Sequence, residues 1–194
     1  MNTETTNKQI AGVDEVGRGA LAGPVVAAAV ILISNSSQKF FDSKVLNSAQ
    51  RHILYKAIKS KELVGVGACT PAEIESHNIH KASLLAMTRA LARLRIVPDL
   101  TLVDGKFCPE VNGKIKAVIK GDQKFQCISA ASIVAKVVRD YIMVRIGRLY
   151  PEYGFHENKG YPTKHHKSAL ARHGVLSCHR KKYAPILDII NKER

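Results

Sequence analysis

The sequence has no tryptophan and only 6% aromatic residues, so any core must be built from Val, Ile, Leu and Ala. Its cysteines form no pattern. Cys69, Cys108, Cys127 and Cys178 stand apart without a C-x-x-C pair, which excludes a zinc ribbon and a thioredoxin-like site. Free thiols in a reducing compartment are expected. No apolar run approaches the about 20 residues that cross a bilayer; the longest runs from Val25 to Ile33. The opening residues, MNTETTNKQ, lack the apolar segment of a secretory signal, so a cytoplasmic protein with no membrane contact is expected. Repeats, low-complexity tracts and Gly/Ser or Pro linkers are missing too, and the 194 residues read as one domain. Acidic residues are scarce, 16 against 30 Lys+Arg, for a formal net charge of +14. That excess favours a polyanionic partner, because phosphate neutralisation releases counterions. A merely solubilising surface charge is the alternative.

What is present alternates between two periodicities. Residues 1–8 read as a disordered lead. Strands are expected over Ile10 to Val16, Val25 to Ile33, Leu63 to Cys69, Leu100 to Val103 and Ile115 to Ile119. Helices are expected from a Ser48 cap to about Ser60, over Pro71 to His77 with Thr70 as cap, over His80 to Leu94, and over Ile128 to Tyr150. In the third of these, Leu84, Leu85, Met87, Leu91 and Leu94 fall on one side and read as core. From Pro151 onward the chain is a basic His/Gly-rich loop followed by one or two short helices. Strands interleaved with helices predict an α/β layer architecture, a sheet flanked by helices, over about residues 10–150, with a basic helical part over about 151–194.

Three strand ends each deliver an acid. Asp14 and Glu15 lie in an apolar strand between Val13 and Val16, where an ionised carboxylate loses solvation unless it is paired or bound to a metal. A frayed, solvated strand end is the alternative. Asp104 ends a second apolar strand, and Asp122 follows a third after Lys120-Gly121. Sites of open α/β sheets gather at such ends. Clustered carboxylates repel one another, and divalent cations relieve that repulsion. Oxygen-only ligands suit Mg²⁺ or Mn²⁺ rather than zinc. An acidic centre in a basic protein is what two-metal phosphodiester hydrolysis requires.

Gly17-x-Gly19-x-x-x-Gly23 suggests a dinucleotide-binding loop, but the third glycine comes one position late and Pro24 leads into a strand rather than a helix. Two other uses remain open. The loop is a tight turn and nothing more, or its glycines let backbone groups approach a ligand such as a ribose 2′-OH.

Several separated segments together resemble the type 2 ribonucleases H, the bacterial ribonuclease HII family, over Ile10 to Leu187. They are Ala11–Gly19 with Leu21–Ala29, Asp42-Ser43-Lys44, Val103-Asp104-Gly105, Lys120-Gly121-Asp122, Ile128–Val137 with Arg139-Asp140, and His156–Thr163. The resemblance implies a ribonuclease H-like sheet and a single catalytic domain over 1–194. It implies Asp14, Glu15, Asp104 and Asp122 as catalytic metal ligands for Mg²⁺ or Mn²⁺. It implies Gly17, Arg18 and Gly19 as the element that senses a 2′-OH at an RNA-to-DNA junction. Tyr161 is implied to pack on the following deoxyribose, and Lys44 to meet backbone phosphates. The implied substrates are RNA/DNA hybrids and duplex DNA with embedded ribonucleotides, cut 5′ of the ribonucleotide to leave a 3′-OH and a 5′-phosphate. Val16 and Ala20 stand where the family has alanine and proline. With no long tail after Arg194, no clamp-binding module is expected, and the protein is expected to be a monomer.

Among the remaining polar residues, Asp140 reads as a salt-bridged or surface acid rather than a rival ligand. His156, His165, His166, His173 and His179 fit no zinc spacing and read as phosphate contacts or surface residues. The stretch Lys164 to Lys182, with Arg172, Arg180, Lys181 and Lys182, reads as lining a duplex track. A non-catalytic hybrid-binding protein and a nucleotide-cofactor enzyme are the competing classes.

Overall fold

A computed structural model describes residues 8–33, 40 and 46–192. The expected lead (apart from Lys8) and the Asp42-Ser43-Lys44 segment, with its expected phosphate contact at Lys44, lie outside the described residues. In chain order the elements are β1 (Ile10–Val16), β2 (Val25–Ile31), α1 (Ser48–Lys61), β3 (Leu63–Cys69), α2 (Pro71–Leu91), β4 (Leu100–Asp104), β5 (Ile115–Val118), α3 (Gln126–Leu149), α4 (Phe155–Asn158), α5 (Lys164–His173) and α6 (Ala184–Lys192). The five strands form one mixed sheet in the order β3-β2-β1-β4-β5. Strands β1, β4 and β5 run parallel, while β2 pairs antiparallel with both β1 and β3. The expected α/β sheet flanked by helices is the observed fold.

Strand β2 explains the layering. All seven of its residues, Val-Val-Ala-Ala-Ala-Val-Ile, are buried, which a strand reaches only when both sheet faces are covered. Val25, Ala27 and Ala29 point with Val13 and Val103 toward α2. Ala28 and Val30 point the other way, against Ile58 of α1 and Ile133 and Val134 of α3. Each fully buried Ile or Val contributes about 1.5–3 kcal/mol of hydrophobic stabilisation. Helix α2 meets the sheet mainly through Ala82, Ala86, Met87 and Ala90, while Leu84, Leu85, Leu91 and Leu94 are only partly buried against the same cluster. Small residues let its backbone lie close to the strands.

The structure shifts several element ends. Asn47, not Ser48, caps α1, in a capping box with Gln50. The two helical segments expected around residues 71–94 form one run that is kinked at Asn78 (φ 64°, ψ 164°) and ends at Leu91. The Asn78 carboxamide caps the second half by accepting from the His80 and Lys81 N–H groups. Strand β2 stops at Ile31 and β5 at Val118, while α3 begins at Gln126. A third core joins Leu21, Ala22 and Met143 to Tyr153, Phe155, Leu170 and Ile186, so the C-terminal helices pack on the loop after β1 and on the distal half of α3. Among the described residues no helix is long and apolar enough to cross a membrane.

Candidate active site

Parallel pairing of Val13 with Val103 and of Asp104 with Val118 brings the C-terminal ends of β1, β4 and β5 to one edge of the sheet. Asp14, Glu15, Asp104 and Asp122 from these ends line a single cleft of about 470 Å³, with Val16, Arg51, Ser132, Lys136 and Tyr161 completing its wall. Asp14 and Glu15 sit inside the β1–β2 ladder, opposite Ala28 and Ala27, so the strand end is not frayed.

Asp14 is 8% exposed and points to the α3 side of the sheet. That position depends on Gly12, two residues earlier on the same face. A Cβ at Gly12 would overlap the Cys127 and Ile128 backbone at the start of α3, so glycine lets α3 lie directly on β1. Ser132 of α3 then hydrogen-bonds the Asp14 carboxylate, which also accepts from the Glu15 N–H at 2.7 Å. Burial, and then the neighbouring charges of Glu15 and Asp104, nevertheless hold the Asp14 carboxyl well above the usual carboxylate range.

The other acids are held by different partners. Glu15 accepts from the Arg18 guanidinium at 2.9 Å; the arginine side chain is 49% exposed, so this pair contributes little to stability. Asp104 accepts from the Gly121 N–H at 2.6 Å, tying the end of β4 to the turn that carries Asp122. Asp122 lies not on β5 but in a 3₁₀ turn, Gly121–Gln123, entered through a left-handed Lys120, and is 4% exposed. Among the described residues no three His, Cys, Asp or Glu side chains stand together as a ready metal group. Glu15 is engaged by Arg18 and Asp104 by a backbone N–H. The donor chemistry fits a hard divalent cation, since every acid offers only carboxylate oxygen and Asp14 carries unrelieved like-charge strain.

The loop after β1 runs into the antiparallel strand β2 with no helix behind it, so the dinucleotide reading lacks its structural partner. Two buried arginines shape this loop instead. Arg180 donates to the carbonyls of Gly17 (2.6 Å), Arg18 (2.8 Å) and Gly23 (3.0 Å). Arg139 donates to Pro24, Lys159 and Ala22 carbonyls at 2.9, 3.0 and 3.2 Å. Gly17 adopts φ 96°, and any Cβ there would meet the Arg139 guanidinium. Burial lowers the pKa of both arginines, Arg139 to about 10, and both still carry charge at neutral pH. The Arg139 guanidinium also lies 5.3 Å from the centroid of the Tyr161 ring at the mouth of the cleft.

The sequence reading of the C-terminal part is corrected in two places. Arg180 is fully buried and binds carbonyls, so it does not line a phosphate track. His166 and His179 are fully buried rather than surface residues, with their Nε2 atoms 3.0 Å apart. Lys182 donates to the Glu75 carbonyl, and the Lys181 N–H to its carboxylate. Asp140 is salt-bridged to Lys136 at 2.8 Å, as read from the sequence. Ser132 and Lys136 were missed as cleft residues. Their signal is the i, i+4 spacing that puts both on one stripe of α3.

The family model for ribonuclease HII matches residues 11–186. The ribonuclease HII of Shewanella pealeana is 53% identical over 184 residues, covering 94% of this chain and 91% of its own. Among solved structures, the ribonuclease H2 of Pyrococcus horikoshii superposes with a TM-score of 0.81 at 27% identity, covering 95% of this chain and 98% of that one. Bst-RNase HIII in complex with Mn²⁺ shares the fold alone, with a TM-score of 0.76 at 17% identity over 98% of this chain and 72% of that one. With the profile covering nearly the whole chain and the relatives aligned along most of their length, this protein belongs to the ribonuclease HII family of ribonuclease H-type endonucleases.

Proposed function

We propose that this single catalytic domain hydrolyses the RNA strand of RNA/DNA hybrids and incises duplex DNA 5′ of embedded ribonucleotides, leaving a 3′-OH and a 5′-phosphate. The observation that carries the reading is the convergence of Asp14, Glu15, Asp104 and Asp122 on one cleft of a protein with net charge +14. These four side chains are the groups that would hold Mg²⁺ or Mn²⁺. Such ions, bound as a pair, would supply Lewis acidity for phosphodiester hydrolysis. The chain's own residues do the rest. Lys136 and Arg51 line the cleft as cations for the phosphates flanking the cut. Arg180 holds the Gly17 and Arg18 carbonyls fixed, and the Gly17-Arg18-Gly19 backbone so set is suited to a hydroxyl that both donates and accepts. Tyr161, which also lines the cleft, offers a ring face to the sugar that follows the ribonucleotide. The protein acts as a monomer in the cytoplasm.

The test is a labelled DNA duplex carrying one ribonucleotide, beside an all-DNA duplex, with and without Mg²⁺ or Mn²⁺. Wild type is run beside Asp104→Asn. A metal-dependent cut 5′ of the ribonucleotide is expected, lost in the variant and absent from all-DNA. Tight binding without cutting under either metal would favour a non-catalytic hybrid-binding protein.

A further inference from the structure

Behind Tyr161 lies a pair of histidines that the cleft itself does not use. His166 and His179 are fully buried, with Nε2 atoms 3.0 Å apart, between the rings of Tyr153 and Phe155. The proton positions follow from the one partner that can only donate. The Leu176 N–H points at His179 Nδ1 at 2.9 Å, so that nitrogen accepts and the His179 proton is on Nε2. His179 Nε2–H therefore donates to His166 Nε2. The His166 proton is then on Nδ1, 2.9 Å from the Tyr161 carbonyl, to which it donates. Both imidazoles are neutral, since a second proton would set two N–H groups against each other. Burial keeps them so: it lowers both pKa values, that of His179 to about 4.

This relay ends on the backbone of the residue whose ring faces the cleft. Tyr161 is otherwise held by its N–H to the Asn158 carbonyl at 2.9 Å, by the Thr163 N–H, which donates to the Tyr161 carbonyl at 2.8 Å, and by the Arg139 guanidinium against its ring. We infer that His166 and His179 form a positioning pair that fixes Tyr161 over the cleft and thereby sets the preference for an RNA-to-DNA junction. The inference rests on the reading of Tyr161 given above. Neither histidine touches substrate.

The experiment compares KM and kcat on a duplex with one embedded ribonucleotide and on a uniform RNA/DNA hybrid. His166→Leu removes the imidazole donor to the Tyr161 carbonyl and leaves the Thr163 N–H as its remaining donor. It is expected to raise KM on the single-ribonucleotide duplex about tenfold while kcat stays within about twofold, and to leave the uniform hybrid nearly unchanged. His166→Asn, whose amide can donate to the same carbonyl, is expected to restore most of the loss. The double variant His166→Leu/Tyr161→Ala is expected to be no worse than Tyr161→Ala, because the pair acts through that ring. A wild-type KM in His166→Leu, an equal loss on both substrates, or losses that add in the double variant would each overturn the inference. Should His166→Leu not fold, His179→Leu takes its place. It leaves the His166–Tyr161 bond but removes the group that directs its proton, and a smaller change confined to KM is expected. An unaltered junction preference in Tyr161→Ala would instead overturn the reading of Tyr161 itself.

Discussion

Arg180→Met separates two roles for a buried cation. A cation that tracks phosphate contributes to the salt dependence of binding, and its loss lowers the slope of log K against log salt by about 0.9. The structure assigns Arg180 elsewhere. Its guanidinium is buried and spends its donors on the Gly17, Arg18 and Gly23 carbonyls and the Tyr183 hydroxyl. Methionine fills much of the same volume but donates nothing. The Arg18 carbonyl keeps the Tyr183 hydroxyl as a donor at 2.8 Å, whereas the Gly17 and Gly23 carbonyls lose their arginine donor. Each orphaned carbonyl costs about 1–3 kcal/mol, partly offset because a charge is no longer buried. The expected loss is about 3 kcal/mol, or a fall in Tm of about 10 °C for a chain of this size. Thermal melting and binding titrations from low to moderate salt check both halves. The expected result is a lower Tm, weaker binding to the single-ribonucleotide duplex and an unchanged salt slope. A slope reduced by about 0.9 with an unchanged Tm would refute the reasoning.

Three further outcomes follow from the same geometry. Gly12→Ala forces a methyl group into the backbone of Cys127 and Ile128, so a destabilisation of about 3 kcal/mol is expected in urea unfolding; an unchanged midpoint would show that α3 does not lie so close to β1. The folded pKa values of His166 and His179 lie below the ordinary histidine value of about 6.5, so their stabilising effect is fully present above about pH 6.5 and is lost as pH falls below it, for His179 toward about 4. Wild type should therefore lose Tm more steeply between pH 7 and 4.5 than His179→Gln, and parallel profiles would count against neutral buried imidazoles. Asp14 shifts the opposite way: its raised folded pKa means that ionisation at neutral pH costs stability. Asp14→Asn is thus expected to raise the metal-free Tm and to reduce the stabilisation that Mg²⁺ or Mn²⁺ gives wild type. A lower metal-free Tm in the variant would contradict the strain argument.

What the sequence made legible was whatever depends on local pattern. Asp14, Glu15 and Asp104 stood out because acids inside or at the end of apolar strands are costly unless they serve a purpose, and the three parallel strands bring them together. Asp122 was found for the same reason, although it sits in a 3₁₀ turn beyond β5. The break near residues 78–79 was legible from the change in pattern, and Asn78 supplies the left-handed φ that makes it. What stayed hidden depends on contacts across long stretches of chain. Arg180 meets Gly17 across 163 positions and Arg139 meets Pro24 across 115, so nothing near either arginine distinguishes it from a surface cation. His166 and His179 looked like surface residues because their neighbours are basic; the aromatic cage that buries them comes from Tyr153 and Phe155. Helix α2 was legible in part: Met87 is buried and the leucines pack against the core. Its leucines marked an amphipathic face, but closeness to the sheet selected Ala82, Ala86 and Ala90 for the buried line.

The two buried arginines also change what the net charge of +14 means. Arg139 and Arg180 are withdrawn from any phosphate surface and spent on backbone carbonyls, so a count of cations overstates the capacity to bind a polyanion. They support the proposed reader of the substrate. The segment around His179 and Arg180 holds the Gly17-Arg18-Gly19 loop directly, and through His166 it holds Tyr161 in the wall of the cleft. The Arg180 N–H to the Leu21 carbonyl and the Leu21 N–H to the Gly160 carbonyl, both 2.8 Å, close the same circuit through the backbone. The carboxylates come from the sheet and its turn, and Glu15 touches this circuit through the Arg18 guanidinium. Loosening the circuit should therefore degrade the choice of substrate before it degrades the rate of the chemical step. Changing a carboxylate should do the reverse.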